Sequence, residues 1–134
     1  MSVRQLRALV VDDEPVARRR VARLVGAAPD FVVAGECPGG ECAVQFVRSE
    51  HPDVVFLDVQ MPDIDGFEVI AQVGVDRMPH VVFVTAFDQH ALRAFDAHAV
   101  DYLLKPYTEE RFREALDQVR VRAAGGGDSE GAAS

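Results

Sequence analysis

Leu6-Arg7-Ala8-Leu9-Val10-Val11-Asp12-Asp13-Glu14-Pro15 decides the fold. Residues 6–11 are a short, nearly continuous apolar run rich in β-branched side chains, which reads as a buried strand. Three acids end it, and Pro15 then suits the first turn of a helix, where its missing N–H costs nothing. Ala17, Val21, Leu24 and Val25 follow on one apolar face, and Arg18-Arg19-Arg20 is expected to be a solvated helix face.

Outward from this unit the same alternation repeats. Phe31–Gly35, Val54–Leu57, Val81–Val84 and the shorter Tyr102–Leu104 are further apolar runs. Ala43, Phe46 and Val47 mark a second helix after the Gly39-Gly40 turn, and Phe67, Val69, Ile70 and Val73 a third. Leu92, Phe95 and Ala99 mark a fourth. Phe112, Ala115, Leu116 and Val119 give the fifth its clear amphipathic stripe. Strict β-α alternation predicts an α/β fold: a doubly wound five-stranded parallel sheet of flavodoxin-like order 2-1-3-4-5, with helices on both faces. After Val121 no large apolar residue occurs, so residues 1–122 are expected to form the domain and 123–134 a flexible linker or tail.

Composition narrows the function. The 134 residues suit one domain, with 49% hydrophobic and 27% charged residues, values ordinary for a globular chain. Net charge is -8, which argues against binding of nucleic acid or an anionic membrane by this domain itself. There is no apolar run of membrane-spanning length and no secretory signal pattern, so a reducing cytoplasm is expected. Cys37 and Cys42 are too few for a disulfide framework and are expected to be inert free thiols. His51, His80, His90 and His98 lack ligand spacing and are expected on the surface or in loops.

In an open α/β sheet, ligands bind beyond the carboxyl ends of the strands. Asp12-Asp13-Glu14 follows the first strand, Asp58 the third, Thr85 the fourth and Lys105 the fifth. The doubly wound order brings strands one and three together, so Asp12, Asp13 and Asp58 should converge. Carboxylates that close need a cation, and hard oxygen ligands suit Mg²⁺. Acids, metal, hydroxyl and ammonium together describe phosphoryl transfer, with a carboxylate able to act as nucleophile. Of the 14 basic residues 13 are arginine, and the single lysine is Lys105, where a compact point charge fits and a planar fork does not.

These segments resemble the receiver domain of two-component response regulators. The resemblance rests on Val10–Pro15, Val55–Gly66, Val84-Thr85-Ala86 and Asp101–Pro106, and spans about Leu6 to Val121. The stretch Thr85–Phe95 looks most like the AlgR/LytR-type subfamily, in which a receiver precedes a LytTR DNA-binding domain controlling transcription. The resemblance implies that Asp58 accepts a phosphoryl group from a sensor histidine kinase. It implies Mg²⁺ held by Asp13 and Asp58, with Asp12 helping through water and the Gln60 carbonyl as a further ligand. Lys105 would pair with Asp58, Thr85 would bond the phosphoryl group, and Tyr102 would be the switch aromatic. A cis Lys105–Pro106 bond is implied as well.

On this reading the chain is a signalling module that catalyses its own phosphorylation and dephosphorylation. A homodimer would form through the face of the fourth helix, fifth strand and fifth helix. Phe87 and Gln60 are expected to flank the phosphoryl group and shield it from water. The alternatives are a stand-alone receiver acting by protein–protein interaction, a Mg²⁺-dependent aspartyl phosphatase, a flavin mononucleotide binder and an inactive scaffold. The phosphatase would want a second acid where Gln60 stands. The flavin phosphate would be repelled by Asp12-Asp13-Glu14, and the intact set of site residues opposes a scaffold.

Overall fold

A computed structural model describes residues 4–88, 93–94 and 97–129. Five strands, β1 (Leu6–Val11), β2 (Phe31–Cys37), β3 (Val54–Leu57), β4 (His80–Thr85) and β5 (Asp101–Leu104), form one sheet of order β2-β1-β3-β4-β5. Every pairing is parallel, as expected from the alternation. Among the described residues, the helices α1 (Pro15–Gly26), α2 (Gly40–Glu50) and α3 (Gly66–Val73) precede a long C-terminal helix (Glu109–Ser129). A 3₁₀ turn over Val75–Arg77, absent from the sequence reading, leads into β4. The expected fourth helix falls mostly outside the described residues, as do Leu92 and Phe95; Arg93 and Ala94 are helical.

Side-chain alternation along β1 builds two cores. Ala8 and Val10 face one side, with Val21 and Val25 of α1 and with Phe112, Ala115, Leu116 and Val119 of the C-terminal helix. Leu9 and Val11 face the other side, against Ala43, Val44 and Val47 of α2 and Val69, Ile70 and Val73 of α3. Both faces are therefore dry, and each fully buried Val, Leu or Phe contributes about 1.5–3 kcal/mol. Phe56 stacks on Phe112 at 5.5 Å between centroids, locking β3 to the C-terminal helix.

Several expectations change. Cys37 and Cys42 are not free thiols but a disulfide, with Cα atoms 5.6 Å apart. The sharp turn from β2 into α2 folds this short stretch back on itself, which the spacing alone did not show. Arg18 and Arg20 are not simply solvated. Arg18 donates to the Asp12 carbonyl at 2.9 Å and to Glu36 at 3.2 Å, and Arg20 covers the Tyr107 ring at 4.8 Å. Their long stems lie along the protein surface while the guanidinium finds partners.

His80 is a half-buried residue opening β4, and burial lowers its pKa. His51 ends α2 in a left-handed conformation (φ 50°), His98 is exposed, and His90 lies outside the described residues. Helix continues past residue 122 to Ser129. Ala123 and Ala124 are strong helix formers, and propagation onto an existing helix is far easier than nucleation.

Candidate functional site

Parallel pairing puts the ends of the strands on one rim. Val11 pairs with Leu57, so the residues that follow each, Asp12 and Asp58, are neighbours. Thr85 pairs with Leu104, one residue before Lys105. Oxygens of Asp12, Asp13 and Asp58 lie within 4.8 Å of one another, with Asp13 exposed and the other two buried. The Lys105 ammonium donates to Asp12 Oδ2 at 2.9 Å and to Asp58 Oδ2 at 3.3 Å. It is shared between two acids, not reserved for Asp58. The Lys105–Pro106 bond is cis.

The second oxygens are held by the loops that follow. Asp12 Oδ1 accepts from the Glu14 N–H at 3.0 Å, and Asp58 Oδ1 from the Gln60 N–H at 3.3 Å. Burial pushes the Asp58 carboxyl above the usual range, and the Asp12 charge adds to this. The Lys105 charge and the Gln60 N–H pull it back only in part. Burial disfavours the Lys105 ammonium, but the hydrogen bond to Asp12 and the charges of Asp58 and Asp12 outweigh it and hold its pKa above the ordinary value. Three carboxylates against one ammonium leave the rim strongly negative. An all-oxygen donor set with that imbalance fits a hard divalent cation. Asp13 and Gln60 share the wall of a cleft of about 420 Å³ with Val59, Met61, Pro62 and Asp65. A cleft of about 440 Å³ at the other end of the strands, against Asp53, Asp76 and His80, contains no cluster of three metal-ligating groups among the described residues.

Thr85 is fully buried; its hydroxyl accepts from the Phe87 N–H at 3.4 Å and its carbonyl from the Lys105 N–H at 2.7 Å. Tyr102 is half-buried, packs 6.0 Å from the Phe83 ring, and donates its hydroxyl to the Phe87 carbonyl. Ala86 is small and exposed.

Two contributors were not legible beforehand. Asp63, in the loop leaving Asp58, accepts from the N–H groups of Gly40 at 3.0 Å and Glu41 at 2.9 Å, so it caps α2 from a distant segment. Burial raises the Asp63 carboxyl, but these backbone donors outweigh it and hold it below its ordinary pKa. Gly66 opens α3 so close to the site that a Cβ there would stand 2.7 Å from the Asp58 carbonyl oxygen. Its N–H donates to Val59 at 2.8 Å. The glycine was visible in the sequence, but the reason for it was not.

A 2-1-3-4-5 sheet with acids, hydroxyl and amine gathered at its carboxyl edge defines a receiver-type signalling module. The chain belongs to the response regulator receiver domain family, whose pattern matches residues 8–117. It is 43% identical over 115 residues to the transcriptional regulatory protein BtsR of Salmonella typhi, covering 86% of this chain and 48% of the relative. The chain thus spans about half the length of the curated relatives it matches.

Two solved structures share the architecture. The response regulatory domain of mrkE from Klebsiella pneumoniae superposes with a TM-score of 0.77 at 30% identity, over 86% of this chain and 95% of that one. The receiver domain of the response regulator NarL from Mycobacterium tuberculosis gives 0.78 at 31%, over 88% and 98%. Among the described residues no helix is long and apolar enough to cross a membrane.

Proposed function

We propose that Asp58 is the phosphoacceptor of this receiver and that a sensor histidine kinase is the donor. The observation that carries this is the Lys105 ammonium shared between Asp12 and Asp58, with Asp13 at the same rim. An Asp58 oxygen attacks phosphorus, the P–N bond of the phosphohistidine breaks, and the imidazole leaves with the bonding pair. Asp13 and Asp58 would hold Mg²⁺, with Asp12 helping through water and the Gln60 carbonyl as a further ligand. When bound, the ion neutralises charge on the transferring group. Lys105 supplies a fixed positive charge beside Asp58 Oδ2.

The Thr85 hydroxyl accepts from the Phe87 N–H and carries a proton of its own to give to the new phosphoryl oxygens. Thr85 then donates to phosphate, and Tyr102, tied to the Phe87 carbonyl, follows inward. The result is a population shift, limited by the differential affinity of the phosphoryl group for the two states. Its surface is the face of the expected fourth helix, β5 and the C-terminal helix, used for output or homodimer formation. Gln60 and Phe87 flank the acyl phosphate and make it long-lived; a half-life of seconds in Mg²⁺ would oppose this.

Residues 1–122 are the switch and 123–134 lead to an output unit, a LytTR-type DNA-binding domain acting on transcription in the cytoplasm. That BtsR is a transcriptional regulatory protein of which the matched residues cover only 48% supports this arrangement. The test is incubation with Mg²⁺ and acetyl phosphate. A mass gain of one phosphoryl group, absent in Asp58→Asn, is expected; no gain in the parent protein refutes the assignment.

A further inference from the structure

The two cysteines sit beside the acidic rim. Cys37 ends β2 fully buried, and its carbonyl accepts the Asp12 N–H at 3.1 Å. Cys42 lies exposed in the first turn of α2. Their bond closes a small ring through Pro38-Gly39-Gly40-Glu41. Asp63 grips that same turn from the loop that leaves Asp58, through the Gly40 and Glu41 N–H groups. The turn is also tightly packed: a Cβ on Gly40 would stand 2.7 Å from the Ile64 carbonyl oxygen. A covalent link between β2 and α2 therefore bears on Asp12 from one side and on the Asp58 loop from the other.

A staple role explains little here. A ring this short restricts the unfolded chain less than a long one, and two dry cores already hold the sheet. Disulfides in the reducing compartment proposed above are characteristically transient or redox-sensing. The access pattern fits that use. Cys42 is open to an attacking thiol, whereas Cys37 is buried and is the sulfur left behind.

We propose that Cys37 and Cys42 form a reversible thiol–disulfide site whose closed form clamps the β2–α2 turn against the phosphoacceptor rim. A low-molecular-weight thiol opens it. The thiolate attacks Cys42 Sγ, the S–S bond breaks, and its electron pair leaves on Cys37 Sγ, which takes a proton from solvent. A second thiol displaces Cys42 from the mixed disulfide. In all, one protein disulfide is reduced to two thiols and two small thiols are oxidised to one disulfide. The consequence for signalling rests on the Asp58 reading, but the redox site and its clamp do not.

The test uses this chain equilibrated in glutathione buffers of graded oxidised-to-reduced ratio, alongside Cys42→Ser, a change at an exposed position. Alkylation and mass spectrometry read the thiol state; amide hydrogen exchange reads Asp12, Gly40 and Glu41; acetyl phosphate labelling reads Asp58. The pair should interconvert within the series. Reduced protein and Cys42→Ser should exchange those three amides at least about tenfold faster than oxidised protein, as expected when a local tether is released. Labelling should differ at least about threefold between the two states, the size of a modest coupling.

Two thiols that never pair in oxidised glutathione, or amide exchange equal in both states, would overturn the proposal. Equal labelling in both states would overturn its reach to the rim. Labelling absent from both states while exchange responds would instead sink the Asp58 assignment and leave the redox site standing.

Discussion

The Tyr102 hydroxyl donates a hydrogen bond to the backbone carbonyl of Phe87. Phe87 in turn offers its N–H to the Thr85 hydroxyl at 3.4 Å, so one residue joins the hydroxyl at the end of β4 to the aromatic of β5. A chain of this kind is a two-state element only if its ends are energetically coupled. Tyr102→Phe removes one hydrogen bond and Thr85→Ala the other. Each should cost about 1 kcal/mol, and the double variant should show an interaction energy of at least about 0.5 kcal/mol in urea unfolding. Strict additivity would break the link between the proposed sensor of the phosphoryl group and the switch aromatic.

The raised pKa of Asp58 makes a second, less intuitive prediction. Burial, with the Asp12 charge beside it, disfavours the ionised form in the folded protein. The native state therefore holds its proton more tightly than the unfolded chain does. For Asp58 alone the sign follows: stability rises as pH falls from above its folded pKa toward 3.8, its ordinary value, and at neutral pH the charge is a burden. Asp58→Asn should therefore stabilise the metal-free protein at pH 7, by about 1 kcal/mol, the usual scale for relieving a strained functional site. Denaturant midpoints in chelator at pH 7 decide it. A destabilised Asn variant would mean that the Lys105 pairing outweighs burial.

The fold was legible because each strand announced itself. Runs such as Val54–Leu57 are apolar throughout, as only a sheet covered on both faces requires, and helical periods separate them. The candidate site is legible for a related reason: parallel topology converts "residue after a strand" into "residue at the rim", and Asp12, Asp58, Thr85 and Lys105 each follow a strand in the sequence. What escaped was contact between segments whose relative placement only packing decides. Nothing in the sequence states that Asp63 reaches back to cap α2, or that Arg18 turns toward the Asp12 carbonyl. The cysteine pair escaped because a count of two says nothing about the turn that folds one toward the other. The C-terminal helix runs on to Ser129 because glycines weaken a helix without forbidding its continuation.

A third prediction concerns the Asp101–Arg111 pair that ties β5 to the C-terminal helix. Arg111 donates to both Asp101 oxygens, at 2.9 and 2.7 Å, and the Tyr102 N–H adds a third bond at 2.8 Å. Burial raises the Asp101 carboxyl, but these donors outweigh it and hold its pKa below the ordinary value. Its stabilising contribution is complete above the unfolded pKa, and it is lost as pH falls through the lower folded one. Arg111 is 39% exposed, so solvent discounts the pair to about 1 kcal/mol. Asp101→Asn should cost that much at pH 7 and progressively less below pH of about 4. A penalty independent of pH would assign the effect to packing rather than charge.

Two glycines at helix ends separate steric necessity from mere presence. A Cβ on Gly66 would meet the Asp58 carbonyl oxygen at 2.7 Å, Leu57 Cγ at 3.3 Å and Phe83 Cε1 at 3.3 Å, whereas one on Gly26 would meet nothing within 4 Å. The nearest atom at Gly66 belongs to the backbone of the proposed phosphoacceptor and cannot rotate away. Gly66→Ala must therefore shift α3 or Asp58 itself. It should cost about 1–3 kcal/mol, as overpacking does, and slow acetyl phosphate labelling, because misplacing a reacting group by about 1 Å can cost on the order of a hundredfold in rate. Gly26→Ala fills open space at the end of α1 and restricts the unfolded chain, so it should stabilise by about 0.4–1 kcal/mol and leave labelling unchanged. Equal effects from the two substitutions, in either stability or labelling, would show that the close approach at Gly66 does not position Asp58.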